Sequence, residues 1–249
     1  MPAPGVSSPS RVRASRPTPA SRTRGPDGIW THDPSAERLS TLSAYLGDEQ
    51  LRRRAWQSRL ASPVWSARPT PGHRALVALE RAGRLGEVVT ESTDGLHLAA
   101  GHGPERVIEL HGTVHVTECL RARSTSPPSR SSSGCGPARR TPRAGGGRNG
   151  SVGGGILKVA TVSFGQSLDP EVLDRAVRAA VRAEVLLAVG TTLEVHPAAG
   201  LVPPARREGA AVVIVSASPT ALDGLAAAVV RGSISEVLAR LVPVSPRAR

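Results

Sequence analysis

A histidine, an aspartate and a few hydroxyls stand where apolar runs of this sequence stop. Val107-Ile108 runs into Glu109-Leu110-His111-Gly112, which places an imidazole at a strand end, and imidazole is the side chain best suited to moving protons near neutral pH. Asp94-Gly95-Leu96-His97 reads as a turn after the short strand Glu87-Val88-Val89-Thr90. Gly190 closes the apolar run Val185-Leu186-Leu187-Ala188-Val189 as an ordinary strand-ending turn does. Each of these segments is weak evidence alone, because a single histidine at a strand end is more often structural or solvated than a general base. The two cysteines, Cys119 and Cys135, are too few for a disulfide framework or for a four-ligand structural zinc.

The elements that must carry these residues alternate between helical and buried-strand patterns, the signature of an α/β fold. Residues 48–60 read as a helix. Thr70 can cap a second helix with Ala75, Leu76 and Leu79 on one face. Asp169 is a plausible N-cap for a helix burying Val172, Leu173, Ala176, Val177 and Ala180. The run Val185–Val189 then reads as a fully buried strand. A helix near 197–208, a strand from Ala211 to Val215, a helix near 220–229 and a last helix from Ser233 to Leu241 follow. Parallel strands with loops at their carboxyl ends make a nucleotide-binding crevice the default expectation.

The 249 residues carry 32 Lys+Arg against 20 Asp+Glu, a net charge of +12. The excess is confined. Residues 1–26 contain Arg11, Arg13, Arg16, Arg22 and Arg24 with no acid, and residues 119–155 contain seven more arginines with no acid. Those twelve equal the whole net charge of +12. Lys158 is the sole lysine, a bias typical of GC-rich coding DNA. A nucleic-acid-binding face usually mixes Lys, Arg and stacking aromatics, whereas these stretches are Ser/Pro/Gly/Arg low complexity in a chain with 2% aromatic residues, so nucleic acid is not the expected partner. No run of about 18 apolar residues and no secretory leader pattern is evident, so a cytoplasmic protein without membrane partners is expected.

Taken in order, Arg24-Gly25-Pro26-Asp27-Gly28-Ile29-Trp30, Thr90 to His97, Val107 to Gly112, Val162-Ser163-Phe164-Gly165-Gln166, Gly190 to Pro197 and Ile214 to Thr220 resemble the sirtuins, the NAD-dependent protein-lysine deacylases, over roughly residues 24–118 and 156–242. The resemblance implies a Rossmann-like parallel sheet domain with a small zinc module, and an acyl-lysine peptide and NAD meeting between them. His111 matches the family's catalytic base. In sirtuins the acyl oxygen displaces nicotinamide at the ribose carbon, and the histidine then takes a proton from a ribose hydroxyl, which attacks the resulting imidate. Arg24, Glu91, Ser92, Asp94, Gly190, Thr191, Thr192 and Ser216 fall at cofactor-binding positions, Asp94 in the nicotinamide pocket. Val162, Phe164 and Gly165, with Val195 and Pro197, match the segments that sandwich the substrate peptide as an added strand. Phe164, the chain's sole Phe, reads equally as core filling.

The departures from the family are local. Sirtuins carry Gln-Asn-Ile/Val-Asp where this chain has Glu91-Ser92-Thr93-Asp94, so both carboxamides are replaced, and Ser216 stands where the family has an Asn near the adenosine ribose. These changes are expected to weaken NAD binding or turnover. The glycine-rich motif and the paired Cys-x-x-Cys motifs are missing from the two basic stretches. Reading residues 11–23 one nucleotide earlier permits Gly-Ala-Gly-Val-Ser-Thr-Asp-Ser-Gly-Ile-Pro-Asp, in register with Arg24-Gly25, which is the missing motif. The second codon positions constrain that match, which points to a frameshift before Arg11 and a compensating one near Thr23. After Cys119 the same shift permits a cysteine three codons on, leaving Cys119 as a vestigial zinc ligand and Cys135 as a product of the wrong frame. One shift does not recover the second cysteine pair.

The expected organisation is a low-complexity N-terminus over 1–23, a Rossmann-like domain in two parts over 24–118 and 156–242, a degraded zinc module over 119–155 and a tail over 243–249. Residues 1–23 and 120–153 bury too little apolar surface to offset ordering entropy and are expected to be disordered. Function is expected to be sirtuin-type NAD-dependent deacylation releasing nicotinamide and O-acyl-ADP-ribose, with little or no activity in this chain, which lacks the glycine loop and cannot build a four-thiolate zinc site. The alternatives are a catalytically dead acyl-lysine or ADP-ribose binder and a nucleic-acid-binding protein.

Overall fold

The structure, a computed structural model, describes residues 38–120, 151–152 and 155–241. The chain enters through α1 (Leu42–Gly47) and α2 (Glu49–Leu60), the latter capped by Asp48, whose side chain accepts the Leu51 N–H. Helix α3 (Pro71–Arg81) begins as its sequence predicts. Thr70 accepts the His73 N–H, His73 reaches back to the Thr70 N–H, and Pro71 sits where a missing N–H costs nothing. Next come β1 (Val88–Thr90), the short α4 (Leu96–Ala100), β2 (Val107–Glu109), β3 (Gly112–Cys119), β4 (Ser151–Val152) and β5 (Gly155–Thr161). The remainder is α5 (Pro170–Val181), β6 (Val185–Val189), α6 (Val202–Arg207), β7 (Ala211–Val215), β8 (Ala228–Val230) and α7 (Ile234–Leu241).

The strands form three sheets: β1 parallel to β2, β6–β7–β8 all parallel, and β3–β5–β4 antiparallel. Helices cover both faces of the parallel part, the layering of a Rossmann-like domain. On one side Ala188, Val212 and Ile214 pack with Ala199 and Val202, and Leu186 bridges to the cluster of Ile108, Ala176 and Ala205. On the other, Leu187 and Val189 meet Ala75, Leu76 and Leu238, where α3 packs on α7. Among the described residues no helix is long and apolar enough to cross a membrane.

Four expectations are corrected. The run 220–229 is not a helix: Asp223 draws the Thr220 N–H and hydroxyl into a local turn, a 3-10 turn spans Asp223–Leu225, and Ala228–Val230 pairs as β8. Side-chain oxygens bonding nearby backbone outcompete helix hydrogen bonds, and the valines favour a strand. Strand β6 is not fully buried, since Val185 is 58% exposed. Among the described residues β6 pairs only with β7, so a run apolar enough for a central strand serves at an edge. In α5, Asp169 caps as expected, but Val177 lies exposed while Ala176 and Ala180 are buried. The segment after Asp94 is more than a turn, because the Asp94 carboxylate accepts the Leu96 N–H and starts α4. Of the two stretches expected to be disordered, 1–23 lies outside the described residues, as does most of 120–153, while Ser151–Val152 pair with β5.

Candidate active site

The carboxyl ends of β1, β2, β6 and β7 hold the expected cofactor group, apart from Arg24, which lies outside the described residues. Glu91 follows β1, His111 lies two residues past β2, Gly190-Thr191-Thr192 follow β6, and Ser216 follows β7. Direct contacts join these ends. The His111 Nδ1 lies 3.2 Å from the Glu91 carbonyl oxygen, and the Thr191 hydroxyl lies 3.5 Å from the Glu91 carboxylate. The Gly190 N–H donates to the Val215 carbonyl at 2.9 Å, which sets the turn beside Ser216. Gly190 adopts φ +65°, a conformation that favours glycine, and a Cβ there would come within 2.5 Å of Ile234 Cδ1, which would have to turn aside.

The His111 contact fixes a tautomer. A carbonyl oxygen only accepts, so Nδ1 carries a hydrogen, and in the neutral ring Nε2 is the nitrogen with the lone pair. The next residue is constrained just as tightly. Gly112 sits at φ +67°, and a Cβ would fall 2.0 Å from the Ala160 carbonyl oxygen. That close approach lets β3 leave the His111 turn directly into pairing with β5, where Gly112 faces Thr161. Burial pushes the Glu91 carboxyl above its usual range, with His111 and the Thr191 hydroxyl opposing that shift.

Asp94 is held from both sides. Its carboxylate is committed to Leu96, and its carbonyl accepts from His115 Nε2 at 2.8 Å. Gly95, at φ +69°, passes so close to His115 that a Cβ would meet the ring at 2.8 Å. His115 is a site-shaping residue that the sequence reading missed. Its signal was faint, since His111 and His115 have the same parity along an extended segment but the pairing of β3 with β5 shifts register between Gly112 and Thr117. Ser92 and Thr192 are exposed, and Ser216 is buried, with its hydroxyl donating to the Ser218 carbonyl.

Of the residues expected on the peptide side, Phe164 is 36% exposed, and its backbone pairs with Ser40 and Leu42 through hydrogen bonds of 2.8 and 2.9 Å. Val162 donates to the His111 carbonyl at 2.9 Å, so this segment is anchored to the His111 turn, and Gly165 is exposed just beyond it. Val195 and Pro197 lie after β6, where the Val195 carbonyl accepts the Ala199 N–H. Cys119 closes β3 opposite Leu157. Cys135 lies outside the described residues, and among those described no group of three or more His, Cys, Asp or Glu side chains is arranged to hold a metal. The described donors therefore do not fit a four-thiolate zinc.

The Sir2 family model matches residues 18–197. The chain is 41% identical over 228 residues to NAD-dependent protein deacetylase 2 of Streptomyces coelicolor, covering 88% of both proteins. It is 35% identical to NAD-dependent protein deacylase 2 of Pyrobaculum aerophilum, covering 88% of this chain and 82% of that one. Among solved structures, a Sir2 homologue in complex with ADP-ribose superposes with a TM-score of 0.74 at 30% identity, covering 88% of this chain and 83% of the other. A Sir2 homologue in complex with NAD gives 0.70 at 31% identity, covering 90% and 82%. Shared sequence over most of the length and a shared Rossmann-like fold lead to one conclusion: the chain belongs to the Sir2 family.

Proposed function

We propose that this chain is built for sirtuin-type, NAD-dependent removal of acyl groups from protein lysines, with NAD as a consumed substrate. The observation that carries the proposal is the contact of His111 Nδ1 with the Glu91 carbonyl, which leaves Nε2 as the nitrogen able to take a proton in the crevice where four strand ends converge. In this reading His111 takes the ribose hydroxyl proton. Asp94 and Ser92 face the nicotinamide end, Gly190, Thr191 and Thr192 approach the dinucleotide, and Ser216 lies by the adenosine ribose. The acyl-lysine peptide adds as a strand between Val162–Gly165 and Val195–Pro197. Arg24 would complete the cofactor group. The arrangement of Thr191, Ser216 and the positive-φ turn at Gly190 suits a nucleotide. The Glu91 carboxylate suits it less, because it adds negative charge beside a ligand that already carries phosphates.

Zinc is not part of this proposal for the chain with this sequence. The family's four thiolates are reduced to Cys119, which is consistent with the reading that a frameshift removed the others. Turnover is accordingly expected to be small. The test is nicotinamide release from NAD, measured with and without an acetyl-lysine peptide, in the full chain and in His111→Ala. Peptide-dependent release that His111→Ala abolishes supports deacylation, and release absent even from a chain carrying the restored reading frame overturns it. A second reading, a binder without turnover, is favoured by the half-buried Glu91 carboxylate, whose charge opposes use of NAD but does not touch the peptide segments. It predicts acyl-peptide binding, or weak ADP-ribose binding, that His111→Ala leaves unchanged.

A further inference from the structure

Apart from the crevice residues, α3 and α4 meet through three histidines. The His73 and His97 rings lie 4.7 Å apart between centroids, and His97 and His102 lie 5.4 Å apart, all at tilted angles. The outer two rings are fixed by other partners. His73 Nδ1 accepts the Thr70 N–H at the helix cap, and His102 Nδ1 donates to Glu80 at 2.5 Å. Glu80 also accepts the Gly103 N–H at 3.0 Å. The His102 side chain has 0% exposure. Among the described residues, His102 Nε2 and His97 Nδ1 are buried with no hydrogen-bond partner.

At His97 a neutral imidazole is tolerated far better than an imidazolium, whose buried charge would lie against two more rings. His97 lies one residue into α4, the helix that the Asp94 carboxylate starts. We propose that His97 is a positioning residue for Asp94: the ring stack of His73, His97 and His102 clamps α4 to α3 while His97 is neutral, and protonation of His97 in acid releases α4 and the loop that carries Asp94.

The charged groups facing the stack have been placed by the fold as follows. From α3 come Arg74, Glu80 and Arg81, from the loop before α4 comes Asp94, and from the loop after it come His102, Glu105 and Arg106. From β3, His115 reaches the Asp94 carbonyl. Burial is the dominant influence and holds His97 down to about 4, with His73 and His102 acting in the same direction and Asp94 against it. Glu80 is held below its usual range by the Gly103 N–H and His102.

The functional weight of this clamp rests on the proposed place of Asp94 in the cofactor pocket. The clamp itself is tested on the full chain without NAD, so it can fail while the deacylase reading stands, and the reverse. Histidine ring titrations and amide hydrogen exchange are followed by NMR from pH 7 to pH 4. The expected result is a His97 midpoint near 4, with exchange at Leu96 and Ala99 accelerating at least tenfold over the same range while β6 and β7 stay protected. His97→Phe, which keeps a ring but cannot take a proton, removes that acceleration. Where the ring volume disrupts folding, His97→Gln is read in the same way. A His97 midpoint near 6.5, simultaneous loss of protection in α4 and the β6–β7 core, or an unchanged acid response in the non-titrating variant overturns the proposal.

Discussion

The strand-end crevice and the β3–β5–β4 sheet differ in how far apart their ingredients lie along the chain. In the crevice, several side chains are set by partners a few residues away: Asp94 starts its own helix, Thr191 accepts the Leu193 N–H at 3.1 Å, and Ser216 bonds within its own turn, while Glu91 joins His111 and Thr191 from farther along the chain. The antiparallel sheet has backbone pairing but no assembled centre. Its cysteine stands at a strand end, and a thiolate cage would need partners from beyond Leu120. Locally encoded geometry survives damage to a neighbouring segment, whereas a multi-ligand centre fails as a unit.

That contrast predicts a ranking of effects. Removing the base should have the largest one: in any preparation with measurable turnover, His111→Ala lowers peptide-dependent nicotinamide release by about 10²- to 10⁴-fold, while circular dichroism stays unchanged. Full activity in the variant would remove the crevice from the catalytic account. Next is Gly112→Ala, the hinge between the two regions. It places a Cβ 2.0 Å from a backbone oxygen at φ +67°, and urea denaturation should show a loss of at least about 2 kcal/mol. A neutral result would mean that the crevice and the sheet are coupled less tightly than the backbone contact implies.

Leu238→Ala, at a 1% exposed position where α7 meets α3, should cost about 2–4 kcal/mol and serve as a benchmark for ordinary core loss. The pH dependence comes fourth. His97 is held to about 4 against 6.5, so the folded chain binds fewer protons than the unfolded chain between those values. Stability from this group is therefore complete above about pH 6.5 and falls as pH drops toward 4, by on the order of 2–4 kcal/mol. Glu80, with its lowered carboxyl, adds loss in the same direction at lower pH, whereas Glu91, with its raised one, opposes it. Chemical denaturation at stepped pH, with and without His97→Phe, separates the first contribution. Smallest of all, Glu49→Gln removes an exposed ion pair to Arg53 in α2 and should change stability by about 0.5 kcal/mol or less.

Strands β1, β2, β6 and β7, most helices and their caps were legible because their causes are local. Asp48, Thr70 and Asp169 each cap a helix through a side-chain oxygen, and apolar runs mark β6 and β7. The segment 220–229 was misread because its apolar and small residues fit a helix until Asp223 captures Thr220, a bond that depends on a rotamer rather than on a pattern. The exposure of Val185 and Val177 depends on what lies beside them in space, which hydrophobic periodicity does not encode. His111 and the strand-end loops were found through motif resemblance. The His73–His97–His102 stack was not, because it joins three short segments whose spacing means nothing until α3 and α4 pack.

Lys158 is the sole lysine in 249 residues, and it is 1% exposed, with its ammonium bonded to the Val159 and Thr161 carbonyls of its own strand. The folded surface consequently offers no side-chain amine. Acyl phosphates, acyl thioesters and activated-ester labels find none to modify, and an enzyme of this class would meet its substrate chemistry only on other proteins.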